Sequence, residues 1–120
     1  MLTNEEALEI LRALRKFHIR RPDVVLQLGP SLENMCSETE LWELVEQMYL
    51  AALDLKLSEK AELLLSRLLR QFPGSVRVRR LEGMRLEAKG DFDAAIEIYD
   101  KLLLENPSNV AILQRVVCRS

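Results

Sequence analysis

The chain contains 120 residues, 48% of them hydrophobic and 30% charged, which is the composition of a globular domain and excludes a disordered or fibrous chain. Its 17 basic and 19 acidic residues give a net charge of −2, so no overall positive field favours binding to nucleic acid. No apolar run reaches the roughly 18 residues of a membrane span, and neither a span nor a secretory signal peptide is predicted.

Residues 1–41 are predicted to form amino-terminal helices that pack on the first repeat of a helical array. Thr3 and Glu6 have the spacing of a capping box, so the first helix should begin beside them. Pro22 suits the first position of a second helix, which Gly29-Pro30 should interrupt. The apolar stripes of these two helices comprise Ala7, Leu8, Ile10, Leu11, Leu14 and Phe17, and then Val24, Val25, Leu28 and Leu32.

The third and fourth helices have clear start and stop signals. Ser37 and Glu40 repeat the capping-box spacing, and the third helix should end near Lys56. Ser58 is predicted to cap the fourth helix, which the Pro73-Gly74 pair should end. Their apolar stripes comprise Leu41, Leu44, Val45, Met48, Ala52 and Leu55, and then Ala61, Leu64, Leu65, Leu68 and Phe72.

A fifth and a sixth helix follow, and then the start of a seventh. Ser75 should open the fifth helix, which ends near Gly90, and Asp91 should open the sixth, which ends at Asn106-Pro107. Residues 110–118 begin an apolar helix without a partner helix behind it, so a bare face is expected to favour self-association. We therefore predict an all-α fold of about seven helices in antiparallel pairs, with the last repeat incomplete.

An offset of 34 residues aligns Ala61 with Ala95 and Pro73 with Pro107, and this offset is the period of the tetratricopeptide repeat (TPR). We predict a TPR-type α-solenoid with a degenerate repeat over 42–75, a regular repeat over 76–109 and the truncated start of another over 110–120. Tyr49 stands where the later repeat has Gly83, which predicts altered packing in the earlier one. The residues predicted to pack the repeats are Ala61, Pro73, Gly83, Ala95, Tyr99 and Pro107.

Several short stretches point to one TPR family in particular. They are Glu46-Gln47, Ala51-Ala52-Leu53-Asp54, Arg70-Gln71-Phe72-Pro73-Gly74-Ser75, Gly83-Met84-Arg85, Glu87-Ala88, Asp93-Ala94-Ala95-Ile96 and Tyr99-Asp100. These stretches resemble the N-terminal part of subunit 2 of the endoplasmic reticulum (ER) membrane protein complex. The resemblance implies a peripheral scaffold on the cytoplasmic face of the ER membrane, without catalytic residues or cofactors, whose partners are the other subunits. It also implies a supporting role in the insertion of transmembrane proteins, with the insertion chemistry left to other subunits.

Two sets of residues are candidates for partner binding. Between Arg67 and Arg85 six arginines accompany one acid, a local charge of about +5 centred on Arg77, Arg79 and Arg80. This stretch is either a solvated face or a binding surface for an acidic subunit tail or anionic lipid headgroups. The concave groove of a TPR spiral would present Glu43, Glu46, Leu50, Arg77, Arg80 and Met84.

The alternative function is a co-chaperone-like module that docks an acidic peptide tail. Such modules resemble this chain in fold but use lysine and asparagine at groove positions, where this sequence has Glu46, Leu50 and Met84. This difference weakens the alternative.

No catalytic or metal-binding constellation is evident in the sequence. His18 has no acid partner at a useful spacing, and Cys36 and Cys118 have no second ligand nearby, so neither zinc nor a disulfide is predicted. Trp42 is interpreted as a packing residue rather than a binding hot spot. We therefore expect a cytoplasmic, non-enzymatic protein with no small-molecule substrate, no metal and no cofactor.

Overall fold

The computed structural model describes residues 2–105, in which all regular structure is helical and no strand occurs. The elements are α1 (Asn4–Lys16), α2 (Pro22–Leu28), a 3₁₀ helix (Pro30–Met35), α3 (Glu38–Asp54), α4 (Ser58–Gln71), α5 (Val76–Ala88) and α6 (Phe92–Glu105). Helix α2 packs on α3, and α5 packs on α6. The predicted all-α fold is confirmed, whereas the predicted helix over 110–118 and the stop at Pro107 lie outside the described residues.

The chain divides after Leu68 into two compact units. The first unit contains α1 to α3 and most of α4, and the second contains the end of α4 with α5 and α6. The repeat boundaries at 42, 76 and 110 remain predictions.

Local hydrogen bonds explain where most helices begin. The amide of Glu6 donates to Thr3 Oγ1 at 3.1 Å, and the amide of Thr3 donates to Glu6 Oε1 at 3.0 Å, which confirms the capping box. The amide of Val78 likewise donates to Ser75 Oγ at 3.3 Å at the start of α5. Helix α2 begins at Pro22, as predicted, and the chain then continues into the 3₁₀ helix at Pro30.

Two predicted caps are wrong in detail. Ser37 Oγ accepts from the amide of Glu40 at 3.2 Å, but the Glu40 carboxylate binds arginines of α1 and does not return to the Ser37 amide. Only half of that capping box therefore forms. Ser58 is already the first residue of α4, and the Leu57 carbonyl accepts the first helical hydrogen bond from Ala61 at 3.0 Å. The residue before the helix, not Ser58, occupies the cap position.

The turns after α3 and after α5 have the same hydrogen-bond pattern. Leu57 donates to the Ala52 carbonyl at 2.9 Å, and Asp91 donates to the Leu86 carbonyl at 2.9 Å, 34 residues further along. Two further hydrogen bonds in the first turn run from the Leu55 amide to the Ala51 carbonyl and from the Lys56 amide to the Leu53 carbonyl. The second turn has the equivalent bonds from Lys89 to Arg85 and from Gly90 to Glu87. Helices α4 and α6 then begin at Ser58 and Phe92, again offset by 34 residues. The sequence offset is therefore also an offset in backbone geometry.

The two turns differ in the residue that takes the left-handed conformation. Lys56 has φ 58° where Gly90 has φ 84°. Lys56→Gly is expected to raise the free energy of unfolding by roughly 0.5 kcal/mol, because relief of the left-handed strain outweighs the added entropy of the unfolded chain. Urea unfolding measures the change. Lys101→Gly, in the interior of α6, is the control and should lower stability by about 1 kcal/mol. Equal losses in the two variants would contradict the prediction.

Three residues of the predicted apolar stripes are exposed instead of buried. Phe17 is 64% exposed, Leu55 44% and Phe72 38%. Phe17 and Leu55 are the C-cap residues of α1 and α3, and Phe72 follows the last residue of α4. Because the helix has ended at each position, the helical period no longer directs these side chains towards the core. The stripes are correct within the helices and wrong at their ends.

Candidate protein-binding surfaces

Helix α5 carries the predicted arginine surface. Its buried residues are Val78, Leu81, Gly83 and Glu87. Arg77 is exposed, while Arg79 and Arg80 are half-buried. Arg79 Nε lies 3.9 Å from Glu82 Oε1, three residues further along the same helix, and both side chains are substantially solvated. Such a pair contributes little to stability, so Arg79 can exchange it for another carboxylate at little cost.

The stretch between Arg67 and Arg85 is not one continuous patch of available charge. Arg67 donates to both carboxylate oxygens of Glu33, at 2.6 and 3.2 Å. This bidentate hydrogen bond raises the pKa of Arg67 and neutralises its charge within the first unit. Arg67 is therefore engaged with an acid 34 residues away in the sequence and is less available to a partner than the local charge of about +5 implies.

The candidate residues on α3 belong to the first unit, and those on α5 belong to the second. Glu43 is exposed, with Oε2 3.8 Å from Arg15 Nε. Glu46 and Leu50 are half-buried, as is Met84 on α5. Within each unit these side chains remain partly accessible, and their role in binding a partner stays a prediction.

An ion-pair cluster that the sequence did not reveal joins α1 to α3. Glu40 accepts hydrogen bonds from Arg12 at 2.6 and 2.7 Å and from Arg15 at 2.8 Å. Gln47 accepts from Arg15 at 2.9 Å and donates to the Leu11 carbonyl at 3.1 Å. Arg12 and then Arg15 lower the pKa of Glu40 by hydrogen bonding and by their charge. The cluster is interpreted as a structural link between α1 and α3 within the first unit, since its polar groups form hydrogen bonds with one another.

Removal of the Glu40 charge should therefore destabilise the first unit. Glu40→Gln is expected to lower the free energy of unfolding by about 1–2 kcal/mol at neutral pH, because hydrogen bonds to charged partners are lost. The lowered pKa means that the contribution is complete above the unfolded-state pKa and disappears as the pH falls through the folded-state pKa. Urea unfolding measured at a series of pH values, from neutral to about pH 2, checks this prediction. The difference in free energy of unfolding between wild type and variant should become smaller as the pH falls.

Glu38→Gln is the matched control, because Glu38 lies exposed in the same first turn of α3. This control should lose less stability than Glu40→Gln. A wild-type advantage over Glu40→Gln that persists unchanged in acid would show that the ionised carboxylate is not its source.

In the second unit, α5 and α6 approach each other closely at Gly83. A Cβ atom at this position would lie 2.6 Å from Tyr99 Cζ and 2.8 Å from its Oη, and would also meet Cε1. Tyr99 and Ala95 have no exposed surface and form one core cluster with Leu102. The glycine therefore makes room for the ring of Tyr99.

In the first unit the buried tyrosine ring lies at a different position of the repeat. Tyr49, at the position equivalent to Gly83, and Ala61 are both fully buried, and Leu65, at the position equivalent to Tyr99, is 3% exposed. The large ring thus stands on α3 in the first unit and on α6 in the second, although α3 is equivalent in sequence to α5. Pro73 lies exposed in the turn after α4, and Pro107 lies outside the described residues.

No group of three or more potential metal ligands occurs among residues 2–105. His18 is exposed and has φ 53°, as the residue that ends α1 in a left-handed turn. Cys36 donates to the Leu32 carbonyl at 3.4 Å, and burial raises the pKa of its thiol, so its nucleophilic thiolate form is disfavoured. Trp42 is half-buried in α3, and Cys118 lies outside the described residues. None of the described helices is long and apolar enough to cross a membrane.

Comparison with known proteins relates the chain to subunit 2 of the ER membrane protein complex. No protein-family model matches it. It is 35% identical over 119 residues, 97% of its length, to ER membrane protein complex subunit 2 of Xenopus tropicalis and equally to subunit 2-A of Xenopus laevis. The corresponding protein of Dictyostelium discoideum is 30% identical over 114 residues, 91% of the chain. The chain spans only 40% of the length of the Xenopus relatives and 35% of the Dictyostelium one. The chain is therefore similar, over nearly all of its own length, to proteins named ER membrane protein complex subunit 2.

Proposed function

We propose that the chain is a non-catalytic scaffold that binds other subunits of the ER membrane protein complex on the cytoplasmic face of the membrane. The observation that carries the proposal is the similarity to subunit 2 over 97% of the chain. The packing of α5 on α6 and the 34-residue offset between the turns after α3 and α5 support it, because helical repeats present extended surfaces for binding proteins. In this role the chain supports the insertion of transmembrane proteins without performing the insertion itself.

The arginines of α5 are proposed to contribute to subunit binding. Arg77 is exposed, and Arg79 has only a long, solvated contact with Glu82. A guanidinium binds a carboxylate through two parallel hydrogen bonds, so an acidic segment of a partner subunit fits this surface. Arg80 belongs to the same surface, although its Nε is buried and has no hydrogen-bond partner in the described structure.

Co-purification from detergent-solubilised membranes tests both proposals. Tagged full chain should recover subunits of the ER membrane protein complex, identified by mass spectrometry. The double variant Arg77→Glu with Arg79→Glu should reduce this recovery, most strongly at low salt, because charge contacts are screened least there. Lys89→Glu with Lys101→Glu makes the same change of charge at exposed positions in the second unit and should have no effect.

Each outcome has a distinct meaning. If the arginine variant recovers as much of the complex as wild type at low and at physiological salt, the α5 arginines are solvated surface only. If wild type recovers no subunit of the complex, the scaffold proposal is wrong. Recovery of a chaperone in place of those subunits would favour the co-chaperone alternative.

A further inference from the structure

Two loops of the first unit lie together and expose apolar side chains. Arg20 of the α1–α2 loop pairs with Asp54 at the end of α3, with Nη1 and Oδ1 3.5 Å apart. We call residues 16–21 and 54–60 the loop end. Four of its apolar side chains are exposed: Phe17 by 64%, Ile19 by 51%, Leu55 by 44% and Leu57 by 41%.

The geometry of the turn after α3 does not require the apolar residues Leu55 and Leu57. The turn after α5 has the same backbone hydrogen bonds as the turn after α3, yet it carries Lys89 and Asp91 where the loop end carries Leu55 and Leu57. An apolar residue after a left-handed helix end often packs back on its own helix. At the loop end Leu55 and Leu57 nevertheless remain 44% and 41% exposed, so their exposure calls for an explanation outside the turn.

The loop end is also locally basic in a chain whose net charge is −2. It contains five cations and two acids: Lys16, Arg20, Arg21, Lys56 and Lys60, with Asp54 and Glu59. Arg20 pairs with Asp54, and Arg21 pairs with Asp23 at 3.1 Å. Lys16 Nζ lies 5.5 Å from the centre of the Phe17 ring. The remaining positive charge is therefore carried by lysines placed next to exposed apolar side chains.

We infer that the loop end docks directly on an anionic lipid surface. Its apolar side chains would lie at headgroup level, and its lysines would face the lipid phosphates. Lysine suits this task because its long apolar stem can lie against the lipid while the ammonium group stays among the headgroups. Each such cation contributes roughly a factor of five to binding at an anionic surface, and buried apolar area adds to it.

Charge complementarity favours lipid over a protein partner at this position. An acidic protein segment would be bound best by unpaired arginines, but the two arginines of the loop end are already engaged with aspartates. The inference goes beyond the proposed function, in which partner proteins hold the chain at the membrane. It does not depend on the identity of those partners.

Vesicle sedimentation with the purified full chain provides the test. The chain should sediment with phosphatidylcholine vesicles that contain about one-third phosphatidylserine, less so at high salt, and not with pure phosphatidylcholine vesicles. A sample without vesicles controls for self-association. Lys56→Glu with Lys60→Glu should lower the partition coefficient at least about 25-fold, because two favourable charges are lost. Phe17→Ser with Ile19→Ser should lower it about tenfold through lost apolar burial.

Two matched variants act as controls. Lys89→Glu with Lys101→Glu reverses two exposed charges elsewhere, and Leu63→Ser removes an apolar side chain that is 70% exposed on α4. Both should bind like wild type, and circular dichroism should show all variants equally helical.

Several outcomes would overturn the inference. Equal sedimentation of the chain with neutral and anionic vesicles would contradict it. Equal losses of vesicle binding in the loop-end variants and in their controls would also contradict it. Loop-end variants that keep vesicle binding but lose co-purification with the ER complex would show a protein interface instead. Conversely, vesicle binding by a chain that recovers no ER subunit would leave this inference standing and remove only the scaffold proposal.

Discussion

Ala95→Arg is expected to unfold the α5–α6 pair. Ala95 has no exposed surface and lies in the core cluster with Tyr99 and Leu102. An arginine side chain here overpacks the core, at about 1–3 kcal/mol, and also buries a charge without a partner, at several kcal/mol more. The sum approaches the whole stability of a small domain, about 5–15 kcal/mol. Thermal unfolding followed by circular dichroism, with hydrogen exchange of the α5 and α6 amides, measures the loss.

Leu104→Arg is the control for this prediction. It adds the same charge to the same helix at a position that is 84% exposed, so its melting temperature should stay near that of wild type. If Ala95→Arg has the same melting temperature as Leu104→Arg, the helix pair has room for a large side chain at Ala95 and the predicted repeat register is wrong.

Gly83→Ala is the second substitution for which we expect a large loss. The new Cβ would overlap the Tyr99 ring, and the ring has no free space to move into because it is fully buried. Overpacking of about 1–3 kcal/mol should exceed the gain of about 1 kcal/mol that alanine brings to a helix interior. Urea unfolding should therefore show a net loss, although alanine is the better helix former.

A double-mutant cycle separates the steric effect from other causes. Tyr99→Leu introduces the residue that the first unit has at the equivalent position, Leu65, and removes the ring that the Cβ meets. In this background Gly83→Ala should be neutral or stabilising, which gives a coupling energy of at least about 1 kcal/mol. Additive losses in the double variant would rule out the clash as their source.

The sequence by itself determined the helices and their repetition. Thr3 with Glu6, Ser75 and Pro22 are local signals, because the groups that satisfy each helix start lie within three or four residues. The 34-residue offset is local in the same sense, since each turn closes its own hydrogen bonds. The arginines of α5 could also be placed on their helix from the sequence.

Only the tertiary structure decided which distant side chains meet. Glu40 was expected to complete a cap, but Arg12 and Arg15 of α1 compete for its carboxylate and offer charged donors. Arg67 was expected to join the α5 arginines, but Glu33 neutralises it. Phe17 was expected in the core, yet α1 ends before it and leaves it in solvent. Periodicity and capping act over a single helical turn, whereas ion pairing and burial depend on which helices pack together, and no local pattern encodes that choice.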